Sequence, residues 1–264
     1  MCESIRKPVI TVENLTMGFG DDIILQDVGF EVFKGEIFVI VGGSGCGKST
    51  LLKNMIGLYR PSAGRVLVEG MDINTDDGKA LKQVRQKIGV LFQSGALIGS
   101  MSLAENVALP LSERRQISPA LMELIVKMKL GMVNLAGYEN HLPAALSGGM
   151  KKRAGLARAM VMDPTILFFD EPSSGLDPIT AAELDVTIKG INEGMGTTMV
   201  IVSHDLASTM NIAHRVIMLD KSHKGIIAEG IPSELKENSD DPRVIHFFNR
   251  SIEAVKAQGA THGT

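Results

Sequence analysis

The stretch Ile37-Phe38-Val39-Ile40-Val41-Gly42-Gly43-Ser44-Gly45-Cys46-Gly47-Lys48-Ser49-Thr50 decides the fold. It opens on an unbroken apolar run, the pattern of a strand buried on both faces. Gly42 to Ser49 then fits G-x-x-x-x-G-K-[ST], and the segment Ser49 to Gly57 places leucine and methionine at helical spacing. Strand, glycine-rich loop and helix in that order make a phosphate cradle. Small residues let the backbone turn so that successive N–H groups face phosphate oxygens, and the helix start adds partial positive charge. Lys48 supplies a point charge for the β- and γ-phosphates, and the Ser49 hydroxyl is placed for Mg²⁺. The candidate nucleotide contacts are therefore Gly42, Gly43, Ser44, Gly45, Cys46, Gly47, Lys48, Ser49 and Thr50. A dinucleotide-binding turn is excluded because the glycines do not fall as G-x-G-x-x-G. Cys46 has two readings: alkylation there blocks nucleotide entry, or its sulfur is buried and inert.

Outward from this loop, 264 residues suffice for one large domain with a small attached subdomain. With 44% hydrophobic and 22% charged residues the composition is that of a folded globular chain. A formal net charge of -3 offers no long-range attraction to nucleic acid or anionic lipid, so a polyanion needs a local site. No apolar run approaches the roughly 20 residues of a spanning helix, and no apolar segment of signal-peptide type follows Met1 to Lys7. Cys2 and Cys46 stand far apart, which argues against a disulfide framework and for a reducing cytoplasm.

The periodicity predicts strands at Val9 to Val12, Gly29 to Val32, Val66 to Val68, Ile88 to Phe92, Ile166 to Phe169 and Met199 to Val202. Gly18, Gly20 and Gly35 read as breaks in the first part. Helical spacing marks Pro119 to Leu130 and Ala181 to Glu193, and Leu103 to Leu146 reads as a helical subdomain inserted into an α/β core with parallel strands. Past Gly230, Pro232 and a charged run through Asp241 lead to an amphipathic piece, Arg243 to Val255, carrying Val244, Phe247, Phe248, Ile252 and Val255 on one face. That face either docks on a neighbouring subunit or covers the chain's own core. Gln258 to Thr264 reads as a frayed end.

Ile166-Leu167-Phe168-Phe169-Asp170-Glu171 is an apolar strand ending in two carboxylates, at the sheet edge where parallel α/β folds bind ligands. Asp170 suits the outer shell of Mg²⁺, and Glu171 is placed to orient and polarise a water attacking the γ-phosphate. Upstream, Leu146-Ser147-Gly148-Gly149-Met150 puts serine and glycine N–H groups at the start of a predicted helix, a second anion-binding terminus.

Those residues resemble the LSGGQ signature of ABC ATPases. Gln93 resembles that family's Q-loop glutamine, Ser174-Gly175-Leu176-Asp177 its D-loop, His204 its switch histidine, and Phe19 its adenine-stacking aromatic. The resemblance runs from about Val9 to Pro232. It implies an α/β P-loop NTPase core of ABC ATPase type, with an N-terminal antiparallel β subdomain and an inserted helical signature subdomain. Residues 9–95 and 160–232 would form the catalytic core with the β subdomain, 96–159 the helical subdomain and 233–264 a C-terminal extension. ATP and Mg²⁺ are the implied ligands. Glu171, His204, Lys48 and Gln93 would be catalytic, and Ser49, Gln93 and Asp170 would serve the metal. Ser147, Gly148 and Gly149 would face the γ-phosphate held by a second copy, with Asp177 coupling the two sites of a head-to-tail homodimer.

Met150 departs from the usual glutamine. Together with Leu91-Phe92-Gln93-Ser94-Gly95-Ala96-Leu97, Asp177-Pro178-Ile179-Thr180 and Asp241-Pro242-Arg243-Val244 it resembles the ATPases of Mla-type phospholipid transporters. That resemblance implies ATP-driven phospholipid traffic between inner and outer membranes, from the cytoplasmic face of the inner membrane. The partners would be an integral permease, an MCE-domain substrate-binding protein and a STAS-domain regulator, with no nucleic acid and with membrane contact only through the permease. Ala96, Leu97, Ile98 and Met101 either line a groove for a permease helix or pack within the helical subdomain. The alternatives are a soluble ABC ATPase, such as a cluster-assembly scaffold ATPase, and an ABC transporter for another substrate.

Overall fold

The computed structural model describes residues 7–249 apart from 21, 76 and 113–116. Its strands are β1 (Pro8–Phe19), β2 (Asp22–Phe33), β3 (Ile37–Gly42), β4 (Ala63–Val68), β5 (Met71–Asp72), β6 (Ile88–Leu91), β7 (Ile166–Asp170), β8 (Thr198–Val202), β9 (Arg215–Asp220) and β10 (Gly225–Gly230). Its helices are α1 (Lys48–Met55), α2 (Lys79–Arg85), α3 (Leu103–Ser112), α4 (Pro119–Met132), α5 (Gly148–Met160), α6 (Pro178–Met195), α7 (Leu206–Ile212) and α8 (Pro232–Asn238). A further helix occupies 242–249.

The strands form two sheets, a four-stranded one ordered β2-β1-β4-β5 and a six-stranded one ordered β10-β9-β3-β8-β7-β6. The smaller sheet is antiparallel. In the larger, every pair is parallel except β10 with β9. Parallel strands need cover on both faces, and β3 shows how the sequence meets that need. Ile37, Val39 and Val41 join a core with α3, α5 and α6, while Phe38 and Ile40 join a second core with α1 and the antiparallel sheet. All six residues of β3 are buried. No helix among the described residues is long and apolar enough to cross a membrane.

The first two strands are longer than their short β-rich runs suggest. Burial alternates at Ile10 and Val12, then resumes one residue out of step at Leu15 and Met17, because Asn14 takes φ 48° in a bulge. Gly18, expected as a break, lies inside β1. A Cβ there would stand 2.3 Å from the carbonyl oxygen of Asp22, so this glycine serves close approach to β2 across the hairpin rather than interruption.

β9 and β10 extend the core sheet beyond Met199 to Val202, and β9 pairs directly with β3 on the side opposite β8. Val244, Phe247 and Phe248 are buried in the helical-face core, so the described part of the last amphipathic segment covers its own chain. Ile252, Val255 and Gln258 to Thr264 lie outside the described residues.

A groove of about 730 Å³ runs between α2, β6, α3 and α5, with Leu81, Val90, Phe92 and Met162 as well as Lys82, Arg85 and Arg158 in its lining. Ala96, Leu97, Ile98 and Met101, the residues offered for a groove, are not among its lining. The buried Asn106 explains this by folding these residues back on α3. Its Oδ1 accepts from the Ile98 amide at 2.8 Å, and its Nδ2 donates to the carbonyls of Ile98, Met101 and Ser102. Leu97 accordingly packs against the helical core.

Candidate active site

The loop after β3 is shaped by glycines at two demanding positions. Gly42 has φ 147° and lies so close to β9 that a Cβ would meet the Leu219 carbonyl oxygen at 2.4 Å. Gly47 has φ 100° and precedes α1 without any side-chain cap, so the first amides of that helix are left for an external acceptor. Lys48 is buried, with 8% of the residue exposed, and its ammonium donates to the carbonyls of Gly42 at 2.9 Å and Gly43 at 3.0 Å. Two of its three donors thus brace the loop, with one left for a ligand oxygen.

The Ser49 hydroxyl donates to Asp170 Oδ1 at 2.8 Å, bringing a hydroxyl from α1 and a carboxylate from the end of β7 together. This hard-oxygen pair fits Mg²⁺, which binds through one or two protein oxygens plus phosphate and water. No group of three or more His, Cys, Asp or Glu suited to a metal occurs among the described residues.

Glu171 follows β7 with φ 51°, a strained value for a residue with a side chain. Its backbone is held on both sides. The amide donates to the Val202 carbonyl at 2.9 Å, and the carbonyl accepts from the Ser174 amide at 3.2 Å and from Lys152 Nζ at 3.1 Å. Its carboxylate Oε2 lies 2.5 Å from Nδ1 of His204, which donates when Glu171 is ionised. Gln93 Nε2 donates to the Ser174 hydroxyl at 3.2 Å. A cavity of about 680 Å³ collects Gly42, Gly43, Ser44, Gly45, Gly47, Lys48, Ser49, Thr50, Gln93, Glu171 and His204 on one wall-set, completed by Ile24, Leu206 and Phe247. An adjoining cavity of about 470 Å³ shares Gln93 and adds Asp170 and Ser174. The arrangement can grip a triphosphate, hold a divalent cation at its edge and present a carboxylate to a water near the terminal phosphate.

Other candidate residues stand apart from these cavities. Phe19 ends β1 with 52% exposure, edge-on to Tyr59 at 5.6 Å between ring centroids. Ser147 caps α5, its hydroxyl accepting from the Met150 amide at 3.3 Å, so the amides of Gly148 and Gly149 start a helix away from this chain's own phosphate loop. Asp177 caps α6, accepting from the hydroxyl of Thr180 and the amides of Ile179 and Thr180, and these bonds hold its carboxyl below the usual range. Sequence reasoning did not single out Lys152, Ile24 or Leu206, and it placed Phe247 on an amphipathic face rather than at the site. Lys152 stands within the basic run Lys151 to Arg153, where nothing local sets it apart.

Cys46 turns inward. It is 2% exposed among the apolar residues beneath the loop, and burial pushes its thiol up. This favours the inert reading and corrects the expectation of a reactive loop thiol. Alkylation of the native protein at neutral pH should therefore be slow, reaching free-thiol rates only in denaturant. Rapid stoichiometric modification of Cys46 in the folded state, followed by mass spectrometry of the loop peptide, would contradict this placement.

The ABC transporter family profile matches residues 25–174. The chain is similar to the intermembrane phospholipid transport system ATP-binding protein MlaF of Haemophilus influenzae, 42% identical over 245 residues, which is 92% of this chain and 91% of that protein. It is also similar to the probable ribonucleotide transport ATP-binding protein mkl of Mycobacterium leprae, 43% identical over 91% of this chain and 68% of that protein. The chain spans 66% of the corresponding mkl protein of Mycobacterium bovis. Among solved structures, a dimeric ATP-binding cassette in a post-hydrolysis state bound to ADP and Pi superposes with a TM-score of 0.76 at 32% identity, covering 84% of this chain and 98% of that one.

Proposed function

The chain belongs to the ABC transporter family as an ATP-hydrolysing subunit, and we propose that it drives phospholipid trafficking between inner and outer membranes through an integral permease. The likeness to MlaF carries this reading, because it extends over nine tenths of both chains rather than over the ATPase motifs alone. ATP would lie in the 680 Å³ cavity with its phosphates on the loop amides and Lys48, and Mg²⁺ would sit against Ser49, Asp170 and Gln93. Glu171 takes the proton of a water that attacks the γ-phosphorus while ADP departs, and His204 holds the Glu171 carboxylate and the terminal phosphate in register.

Two copies would complete two sites head to tail, as the likeness to a dimeric cassette supports. The uncommitted amides at Ser147, Gly148 and Gly149 of each copy would close over the phosphate held by the other, with Asp177 joining the sites. Phe19 is offered for the adenine. The 730 Å³ groove, lined by apolar and basic residues together, would take a permease helix, and an MCE-domain protein and a STAS-domain regulator are the expected further subunits. The chain would then be peripheral on the cytoplasmic face of the inner membrane.

Isolation from native membranes in mild detergent tests this. A permease and an MCE-domain subunit should accompany the chain, and phospholipid should raise the ATPase rate of the complex. Stimulation by ribonucleotides as cargo instead of lipid would favour the function in the name of the mycobacterial relatives, and recovery with soluble partners alone would favour a soluble ABC ATPase.

A further inference from the structure

Helix α5 touches three parts of the site. It begins at the Ser147 cap. Five residues later, about 7.5 Å along the axis, Lys152 reaches the Glu171 carbonyl at 3.1 Å. Farther on, Arg158 donates to the carbonyls of Gly95 at 3.0 Å and Ala96 at 2.7 Å, just behind Gln93. Between them, Gly155 permits close approach, since a Cβ would stand 2.9 Å from the Gly95 carbonyl oxygen.

Lys152 is unusual on this helix. It is only 6% exposed while Lys151 and Arg153 on either side are half-buried, and the carboxylates of Glu171 and Asp170 act on its charge. Burial pushes its ammonium down while those two carboxylates hold it up. Burying a lysine is costly unless the charge is matched, so its location wants a reason. The residue it holds has one: Glu171 sits in a left-handed backbone conformation that must be imposed from outside.

We propose that Lys152 is a positioning residue for hydrolysis, fixing the backbone of Glu171 from the signature helix so that its carboxylate stays aimed at the attacking water. The inference rests on ATP hydrolysis and on contacts within one chain, and stands whichever substrate is transported. It makes α5 the common mount of the signature amides and the catalytic carboxylate.

The variants K152M and K152R in the full-length protein test it. Methionine keeps the length and the burial but removes donor and charge, and arginine keeps both. K152M should lower kcat between about tenfold and a hundredfold, the range expected when a reacting group is misaligned by about an ångström, with KM for ATP and nucleotide affinity within about twofold of wild type. K152R should recover much of the loss. Because Lys152 acts through Glu171, K152M added to Glu171→Gln should cause no further fall. A wild-type kcat in K152M overturns the proposal. So does a joint loss of kcat, nucleotide affinity and melting temperature, or an additive fall in the double variant. Wild-type and Glu171→Gln rates measured alongside report separately on the ATPase itself.

Discussion

Glu171→Gln is expected to cut ATP turnover by about 10²- to 10⁴-fold, the span associated with removing a positioned general base, while nucleotide binding stays near wild type. The separation follows from geometry. Glu171 lines the cavity from the end of β7 with its carboxylate beside His204, whereas the phosphate loop and Lys48 enter it from the β3–α1 turn and the Ser49–Asp170 contact is made separately. Glutamine is nearly isosteric and its carbonyl oxygen can still accept from His204, so the 2.5 Å contact loses its charge but not its shape. The water, however, loses its proton acceptor. If two copies close over ATP and reopen only on hydrolysis, the variant should accumulate as an ATP-bound dimer in size-exclusion chromatography with Mg-ATP present. Phosphate release at the wild-type rate would remove Glu171 from the catalytic role.

The parts of this molecule that could be read from the sequence are those whose chemistry lies on one short segment. The phosphate loop carries its strand, its glycines, its lysine and its helix within consecutive residues, and all but Cys46 of Gly42 to Thr50 line one cavity. The strand ending in Asp170 and Glu171 is of the same kind, since five buried residues in a row can only be a central strand and its end must reach the sheet edge. What stayed hidden depends on packing between distant segments. Nothing local distinguishes Lys152 from Lys151, yet one is buried against Glu171 and the other is half-buried elsewhere on the same helix. Phe247 reaches the cavity only because the helix at 242–249 lies against the helical-face core, with Arg243 tied to Asp220 at the end of β9. Cys46 differs from its loop neighbours by the direction of one side chain. The bulge at Asn14 shifted an alternation that would otherwise have revealed the full length of β1.

Lys48→Ala should act on the opposite side of the same reaction. The ammonium is anchored by two carbonyls of its own loop, which fixes its position before any ligand arrives and lets its third donor meet a phosphate oxygen with little loss of freedom. A hydrogen bond between charged groups contributes about 1.5 to 3 kcal/mol, so alanine should weaken ATP binding by roughly tenfold to a hundredfold. The fold should tolerate the change, because the backbone turn at Gly42 is set by its packing on Leu219 and not by the lysine alone. Thermal denaturation separates the two effects. At a nucleotide concentration a hundredfold above the wild-type Kd, binding stabilises the folded state by about 2.7 kcal/mol, and a hundredfold weaker site would retain only about 0.4 kcal/mol. The melting temperature without nucleotide should therefore stay close to wild type while the shift caused by ATP falls by about half at tenfold weakening and nearly vanishes at a hundredfold. An undiminished ATP shift in Lys48→Ala would mean that the triphosphate is held elsewhere, since no other lysine or arginine lines this cavity among the described residues.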